Sequence, residues 1–171
     1  MDTLLAIASR RDERRTLPYP LPPGLALRLL DAGRLSGSSR NSQPWTFVVP
    51  EGRPRVEELA GAVFVPENVL TAGLVVAILA CGKGPVLFDA GRAAQSMLLA
   101  AWAEGVASCP NGISNNDLAR RSLAVTDDET PVIVLSFGLP EKPRDPGLHT
   151  VPEWSARANR KPLDEVVRWL P

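Results

Sequence analysis

Residues 36 to 49, Ser-Gly-Ser-Ser-Arg-Asn-Ser-Gln-Pro-Trp-Thr-Phe-Val-Val, place a run of hydroxyl and amide side chains directly before an alternating strand pattern. Ser38, Ser39, Asn41, Ser42 and Gln43 supply the donors and acceptors with which a protein holds the edge of a planar heterocycle in one orientation. Pro44 fixes the exit, and Trp45, Phe47 and Val49 fall on one face of the strand that follows. Taken alone, the same composition also describes a solvated Ser/Asn turn. A second chemical feature is the cluster Arg10, Arg11, Arg14 and Arg15. The only lysines are Lys83, Lys142 and Lys161, and the planar arginine fork is the better bidentate partner for phosphate, although a genomic arginine bias gives the same composition. His149 is the single histidine, and no serine or cysteine has an evident base partner, which argues against triad hydrolysis. Cys81 and Cys109 have no CxxC spacing and form neither a disulfide framework nor a zinc site; both are expected to be buried thiols.

The 171 residues and 18.4 kDa fit one core-bearing domain. Lys+Arg and Asp+Glu are both 19, so a nucleic-acid backbone or an anionic membrane is a poor main partner, and aromatics for base stacking are few. The N-terminus carries its charge after its apolar run and has no small-residue cleavage pattern, which leads to the expectation of a cytoplasmic protein without a signal peptide. Val69 to Cys81, the longest apolar stretch, is too short to span a bilayer and reads as a buried strand.

The elements that must position these residues follow from punctuation and period. Asp2 to about Arg11 is expected as a short helix, and Leu25 to Gly33 as a second one opened by Pro22 or Pro23. Trp45 to Val49 reads as a strand, Glu51 to Ala60 as a turn and short helix, and Gly73 to Ala80 as a strand buried on both faces. Gly84 and Pro85 precede the longest helix, Val86 to Glu104, which Gly105 stops. Asp89 is expected to begin or cap it, and its small stripe Gly91, Ala94, Leu98, Ala101 to admit a close neighbour. Val106 to Cys109 reads as a short strand, Pro110 to Asn116 as a second polar turn, Asp117 to Leu123 as a helix and Pro131 to Phe137 as a strand. The Pro-rich stretch from Pro140 to Pro152 favours an extended arm. Pro162 then opens a helix whose Leu163, Val166, Val167 and Leu170 share one apolar face, with Trp154 and Trp169 on either side. Such a tail suits docking on a second subunit, docking on its own subunit being the simpler alternative.

Four segments stand in a telling order: Ser-Arg-Arg-Asp-Glu-Arg-Arg, Ser-Gly-Ser-Ser-Arg-Asn-Ser-Gln-Pro-Trp, Asp-Ala-Gly-Arg-Ala-Ala-Gln-Ser-Met-Leu-Leu-Ala-Ala-Trp-Ala-Glu-Gly-Val-Ala-Ser-Cys-Pro, and Arg-Lys-Pro-Leu-Asp-Glu-Val-Val. With them the chain resembles the nitroreductase family of FMN-dependent oxidoreductases from about residue 4 to 169. The resemblance implies an α+β fold, a mixed sheet flanked by helices. It implies residues 1–139 as one FMN-binding domain and 140–171 as an arm and helix exchanged across a homodimer, with each FMN touched by both chains. It assigns the FMN phosphate to Arg10, Arg11, Arg14, Arg160 and Lys161, charge-assisted donors suited to a dianion. Ser38, Ser39 and Asn41 are implied at the phosphate, the ribityl chain or the ring edge, with Gln43 supporting the loop. Pro110, Asn111 and Gly112 are implied over the ring, offering backbone donors near the hydride-accepting nitrogen. Gln95 is as well placed for structure as for flavin contact.

The implied activity is transfer of electrons from NAD(P)H through FMN to a small oxidised acceptor, nitroaromatic or quinone-like, with no protein residue strictly catalytic because the cofactor carries the reactive electronics. Other flavin chemistries stay open: oxidation with oxygen, dehalogenation, flavin breakdown or deazaflavin use. So does a binding module for another phosphate ligand without redox activity. Three departures stand out. Asp12 replaces a common serine, Gly37 replaces a common proline and so softens the loop, and the stretch between Ala60 and Gly73 is too short for lid helices, leaving the pocket open or shaped by a partner.

Overall fold

The computed structural model describes residues 2–170. Its strands are β1 (Trp45–Val48), β2 (Leu74–Cys81), β3 (Ala107–Asn111) and β4 (Glu129–Gly138), joined in the order β1-β2-β4-β3. The helices are α1 (Thr3–Ser9), α2 (Pro23–Arg34), α3 (Arg53–Ala60), α4 (Glu67–Leu70), α5 (Val86–Ala103), α6 (Asn116–Ser122), α7 (Val151–Arg157) and α8 (Leu163–Val166). The α+β class is as expected. The expected mixed sheet is antiparallel at every pairing among the described residues.

Two compact units divide the chain, Arg11–Pro143 and the pairing of Met1–Arg10 with Arg144–Pro171. In the larger unit β2 is an unbroken apolar run because both of its faces are covered. Val76, Ile78 and Ala80 enter one core with Leu29 of α2, Met97 of α5 and Phe137, while Val75, Ala77 and Leu79 enter a second with Leu59 of α3, Val69 of α4 and Val134. Pro131 pairs with Leu79 where the β2–β4 register shifts, and a bulge is the place where an inner strand tolerates a residue without an N–H. Val69 and Leu70 belong to α4, so the strand begins later than the apolar run implies; hydrophobicity without alternation does not separate strand from buried helix.

Helix α5 buries Ala90, Ala93, Ala94, Met97, Leu98, Ala101 and Trp102. Gly91 lies outside this face, exposed, with nothing within 4 Å of where a Cβ would stand. The close approach comes instead from α2: a Cβ on Gly33 would lie 3.0 Å from Phe47 Cζ and 3.1 Å from Met97 Cγ. That contact fixes the end of α2, and so the start of the polar loop.

In the smaller unit α1 packs on α7. Trp154 is buried, its Nε1–H donates to Pro146 O at 2.9 Å, and His149 meets its ring edge-on with centroids 4.9 Å apart. The Thr150 N–H donates to the Glu153 carboxylate at 2.7 Å and holds that group below the usual carboxylate range. Part of the expected arm is therefore helical. The terminal helix is shorter than its apolar spacing implies: α8 is one turn, Val167 is already extended at φ −116°, and Leu163, Trp169 and Leu170 are exposed. Among the described residues of this unit none covers an apolar face there that would hold a longer helix together. No helix among the described residues is long and apolar enough to cross a membrane.

Cys109 is buried as expected, but Cys81 is only half-buried. Its thiol donates to Asp128 Oδ2 at 3.1 Å, a bond that pushes the thiol up and holds the Asp128 carboxyl down.

Two outcomes follow. Replacing Gly33 by Val overfills the α2–α5 contact and should lower stability by about 1–3 kcal/mol in urea unfolding. Asp128→Asn removes the anion beside Cys81, so iodoacetamide labelling of Cys81 at mildly alkaline pH should become several-fold faster; an unchanged rate would remove Asp128 as the group that holds the thiol protonated.

Candidate functional site

The polar loop leaves α2 at Leu35 and returns to the sheet at Trp45. Its central residues are held in an unusual backbone: Arg40, Asn41 and Gln43 have φ of 52°, 56° and 47°. Asn tolerates this left-handed region, but for Arg and Gln it costs of order 1–3 kcal/mol each, and such strain persists only where the surroundings impose it. Internal bonds shape the turn: the Gln43 N–H donates to Ser38 Oγ at 2.8 Å, the Asn41 N–H to Ser38 O at 3.0 Å and the Ser42 N–H to Ser39 O at 3.0 Å. Ser39, Asn41 and Gln43 are exposed and Ser38 half-buried, so the hydroxyl and amide groups are presented at the surface rather than absorbed by the core.

Further bonds tie the loop to α5. The Ser39 N–H donates to Asp89 Oδ2 at 2.9 Å, and Ser36 and Ser96 join their hydroxyls at 2.7 Å. Asp89 is 1% exposed, and its Oδ1 lies 3.4 Å from the Arg92 guanidinium. It lies in the first turn of α5, as expected of a residue that begins or caps the helix, but Pro85 holds the N-cap and the Asp89 carboxylate reaches across to the loop. Gly37 lies against the same arginine: a Cβ there would stand 2.5 Å from an Arg92 guanidinium nitrogen, so a side chain at this position would displace the guanidinium.

The expected ring-facing segment is at the opposite edge of the sheet. Pro110 and Asn111 are the last residues of β3, so the second polar turn begins at Gly112 rather than at Pro110. Pro110 has no N–H to offer. The Asn111 side chain is buried, donating to Val134 O at 3.2 Å and Ser136 Oγ at 3.0 Å and accepting from Asn68 Nδ2 at 2.9 Å. It therefore anchors the strand end from within. Gly112 accepts the Phe64 N–H at 3.1 Å and lies under the Phe64 ring, which is 73% exposed. The short stretch after Ala60 thus holds one helical turn, α4, and places an open aromatic beside Gly112.

Arg11 and Arg14 flank Glu13, whose N–H donates to Ser108 O of β3 at 3.0 Å, which puts them along the Gly112 edge of the sheet. In register Trp45 faces Ala80, Ala80 faces Thr130, and Asn111 faces Val134 with β3 heading toward lower β4 numbers. The polar loop and the Gly112 turn therefore leave the sheet in the same direction but on opposite edges, roughly 14 Å apart across three strand spacings and about 13 Å apart along the strands, since β3 stops opposite Val134, four residues short of the Thr130 level. Arg10, Arg160 and Lys161 belong to the smaller unit, Arg10 half-buried at the end of α1, Arg160 and Lys161 exposed between α7 and α8. Gln95 is exposed on α5 and serves no core.

Sequence reasoning did not identify Asp89, Arg92, Ser96, Asn68 or Phe64 as parts of this arrangement. The available signal was the polar spacing i, i+3, i+7 of Asp89, Arg92 and Ser96 along a helix whose only other polar side chain is Gln95.

Similarity to known proteins agrees with this geometry. The sequence model of the Nitroreductase family matches residues 86–139, which span α5, β3, α6 and β4. A Methanothermobacter thermautotrophicus protein with the provisional name NADH dehydrogenase/NAD(P)H nitroreductase is 27% identical over 151 residues, 82% of this chain and 78% of that one. Among solved structures, a nitroreductase family protein from Clostridium difficile 630 superposes with a TM-score of 0.81 at 22% identity, covering 99% of this chain and 98% of its own. A provisionally named nitroreductase from Desulfovibrio desulfuricans, crystallised in complex with FMN, gives 0.82 at 24% identity, covering 100% and 98%. The solved structures show that this chain has the fold of nitroreductase family proteins, and its α5–β4 segment matches that family's sequence model.

Proposed function

We propose that the chain is an FMN-dependent oxidoreductase that passes electrons from NAD(P)H to a small oxidised acceptor, nitroaromatic or quinone-like, and that it works as a homodimer in the cytoplasm. The observation that carries the reading is the loop from Ser38 to Gln43, in which Ser39, Asn41, Ser42 and Gln43 are exposed while Arg40, Asn41 and Gln43 are held in left-handed backbone conformations. Side chains so placed serve a ligand better than they serve the fold. FMN supplies the hydride-accepting and electron-donating chemistry when bound.

The residues present fit that group. Ser38, Ser39, Asn41 and Gln43 offer the mixed donors and acceptors that a ribityl chain and a pyrimidine edge require. Arg11 and Arg14 offer charge-assisted donors for a phosphate, and Arg10, Arg160 and Lys161 of the smaller unit are donors of the same kind. At the Gly112 turn the backbone rises to the surface, and Phe64 offers a flat apolar wall on which an aromatic substrate can stack. The separation of the polar loop from the Arg11–Gly112 edge supports a site shared between two subunits, in which the loop of one chain and the basic edge of the other grip one flavin. The apolar tail, with Leu163, Trp169 and Leu170 exposed, supports the same assembly by offering surface for a second copy. The domain reading accompanies it: residues 1–139 form the flavin-binding part, and 140–171 reach the partner.

Purified protein supplemented with flavin should be yellow, release FMN on denaturation and lose its flavin absorbance under anaerobic NADH or NADPH. A colourless, flavin-free preparation overturns the reading, whereas bound FMN that neither nicotinamide bleaches moves the function to another flavin chemistry. Arg14→Ala should weaken FMN binding by about 10- to 100-fold, the loss of a hydrogen bond to a charged group. It should leave riboflavin affinity nearly unchanged, and equal losses for both flavins would remove Arg14 from the phosphate.

A further inference from the structure

Resting on the flavin-binding reading, one feature of α5 goes beyond it. Asp89, Arg92 and Ser96 touch, in reverse order, the loop residues Ser39, Gly37 and Ser36. The spans match: seven residues of α-helix rise about 10.5 Å, and three residues of extended chain reach about 10 Å. The loop therefore runs antiparallel along a polar stripe that meets it at both ends and in the middle. Ser96 fixes its start, the Arg92 guanidinium fills the space a side chain at Gly37 would take, and the buried Asp89 carboxylate receives the Ser39 N–H immediately before the left-handed residues begin.

We propose that Asp89, Arg92 and Ser96 are positioning residues that preset the flavin-gripping loop, so that cofactor affinity depends on a stripe of α5 that need not touch the cofactor. Three points favour this over a merely structural contact. The contacts end where the strain begins, so they supply the constraint that strained backbone requires. The Asp89 carboxylate is almost fully buried, and a buried charge must keep its donors; one of those donors is the loop itself, so loop and helix are held to a single arrangement. Finally, the side chains of Ser39, Asn41 and Gln43 remain exposed, so the stripe fixes the backbone and leaves the recognition groups free to engage a ligand.

The energetic consequence is a population effect. Where the competent loop conformation falls to about a tenth of the ensemble, the apparent dissociation constant rises about tenfold, with every cofactor contact intact.

The test compares the wild-type chain with Asp89→Asn and Ser96→Ala, the first keeping an acceptor while removing the charge, the second removing only the Ser36 anchor. FMN affinity is measured by quenching of flavin fluorescence. Trypsin cleavage after the exposed Arg40 in the flavin-free protein is followed by mass spectrometry, and the urea midpoint reports global stability. The proposal expects Asp89→Asn to weaken FMN about tenfold and Ser96→Ala about threefold, with cleavage after Arg40 accelerated by similar factors. Affinity and cleavage within about twofold of wild type in both variants overturn it, whatever happens to the urea midpoint. Should Asp89→Asn fail to fold, Ser96→Ala decides. A wild-type chain that binds no FMN defeats the flavin reading, while the cleavage rates still judge the clamp.

Discussion

A carboxylate that is almost wholly removed from water, Asp89, accepts a backbone N–H from the loop that holds Arg40, Asn41 and Gln43 at positive φ. Much of the site depends on that bond. Helix α5 carries two faces for two purposes: Ala90, Met97, Leu98 and Ala101 lock it into the core against β2 and β4, and the stripe Asp89, Arg92, Ser96 holds the loop. Because the apolar face fixes the position of α5, the loop inherits its place from the core. The Gly33 contact with Met97 and Phe47 sets the other end of the same loop, where α2 delivers the chain. A surface segment with few apolar contacts of its own is thereby positioned with the precision of buried packing.

The second organising constraint is the sheet. Antiparallel order β1-β2-β4-β3 sends the loop before β1 and the turn after β3 in the same direction, on opposite edges, with the turn leaving from mid-sheet. Arg11 and Arg14 follow the β3 edge through the Glu13–Ser108 bond, and the Asn68–Asn111–Ser136 network supports the strand end beneath Gly112. Each chain thus presents two partial grips pointing the same way but apart. The proposed homodimer brings a grip of each kind together at each flavin, which explains why neither edge is a closed pocket by itself.

What could be read in the sequence was what local physics dictates. Apolar runs, prolines and glycines located α2, β1, α3, α5, α6 and β4 to within a few residues, because β-strand burial and helix punctuation act over short spans. The donors of the loop were legible for the same reason, five polar side chains being hard to place in a core. What remained hidden depends on contacts distant in sequence. Asp89 looks like a helix-starting residue until Ser39 is seen 50 positions away at 2.9 Å. Asn111 looks like a turn residue until its amide is found bonded to Val134 and Ser136. Gly91 looked like a close-packing site, yet the glycine that admits a neighbour is Gly33, since which face of a helix is buried follows from the whole apolar set and not from its smallest members. The tail misled in the other direction: its helical spacing is present in the residues, but one turn forms, because no surface within its own unit covers that face.

The most direct measurement is a pair of crystal structures of this protein, flavin-free and with FMN. The account predicts FMN in contact with Ser38, Ser39 or Asn41, with Arg40, Asn41 and Gln43 at the same positive φ in both states and the Asp89–Ser39 bond intact. Flavin bound away from this loop, or a loop that takes up its left-handed backbone only when FMN is present, would contradict it.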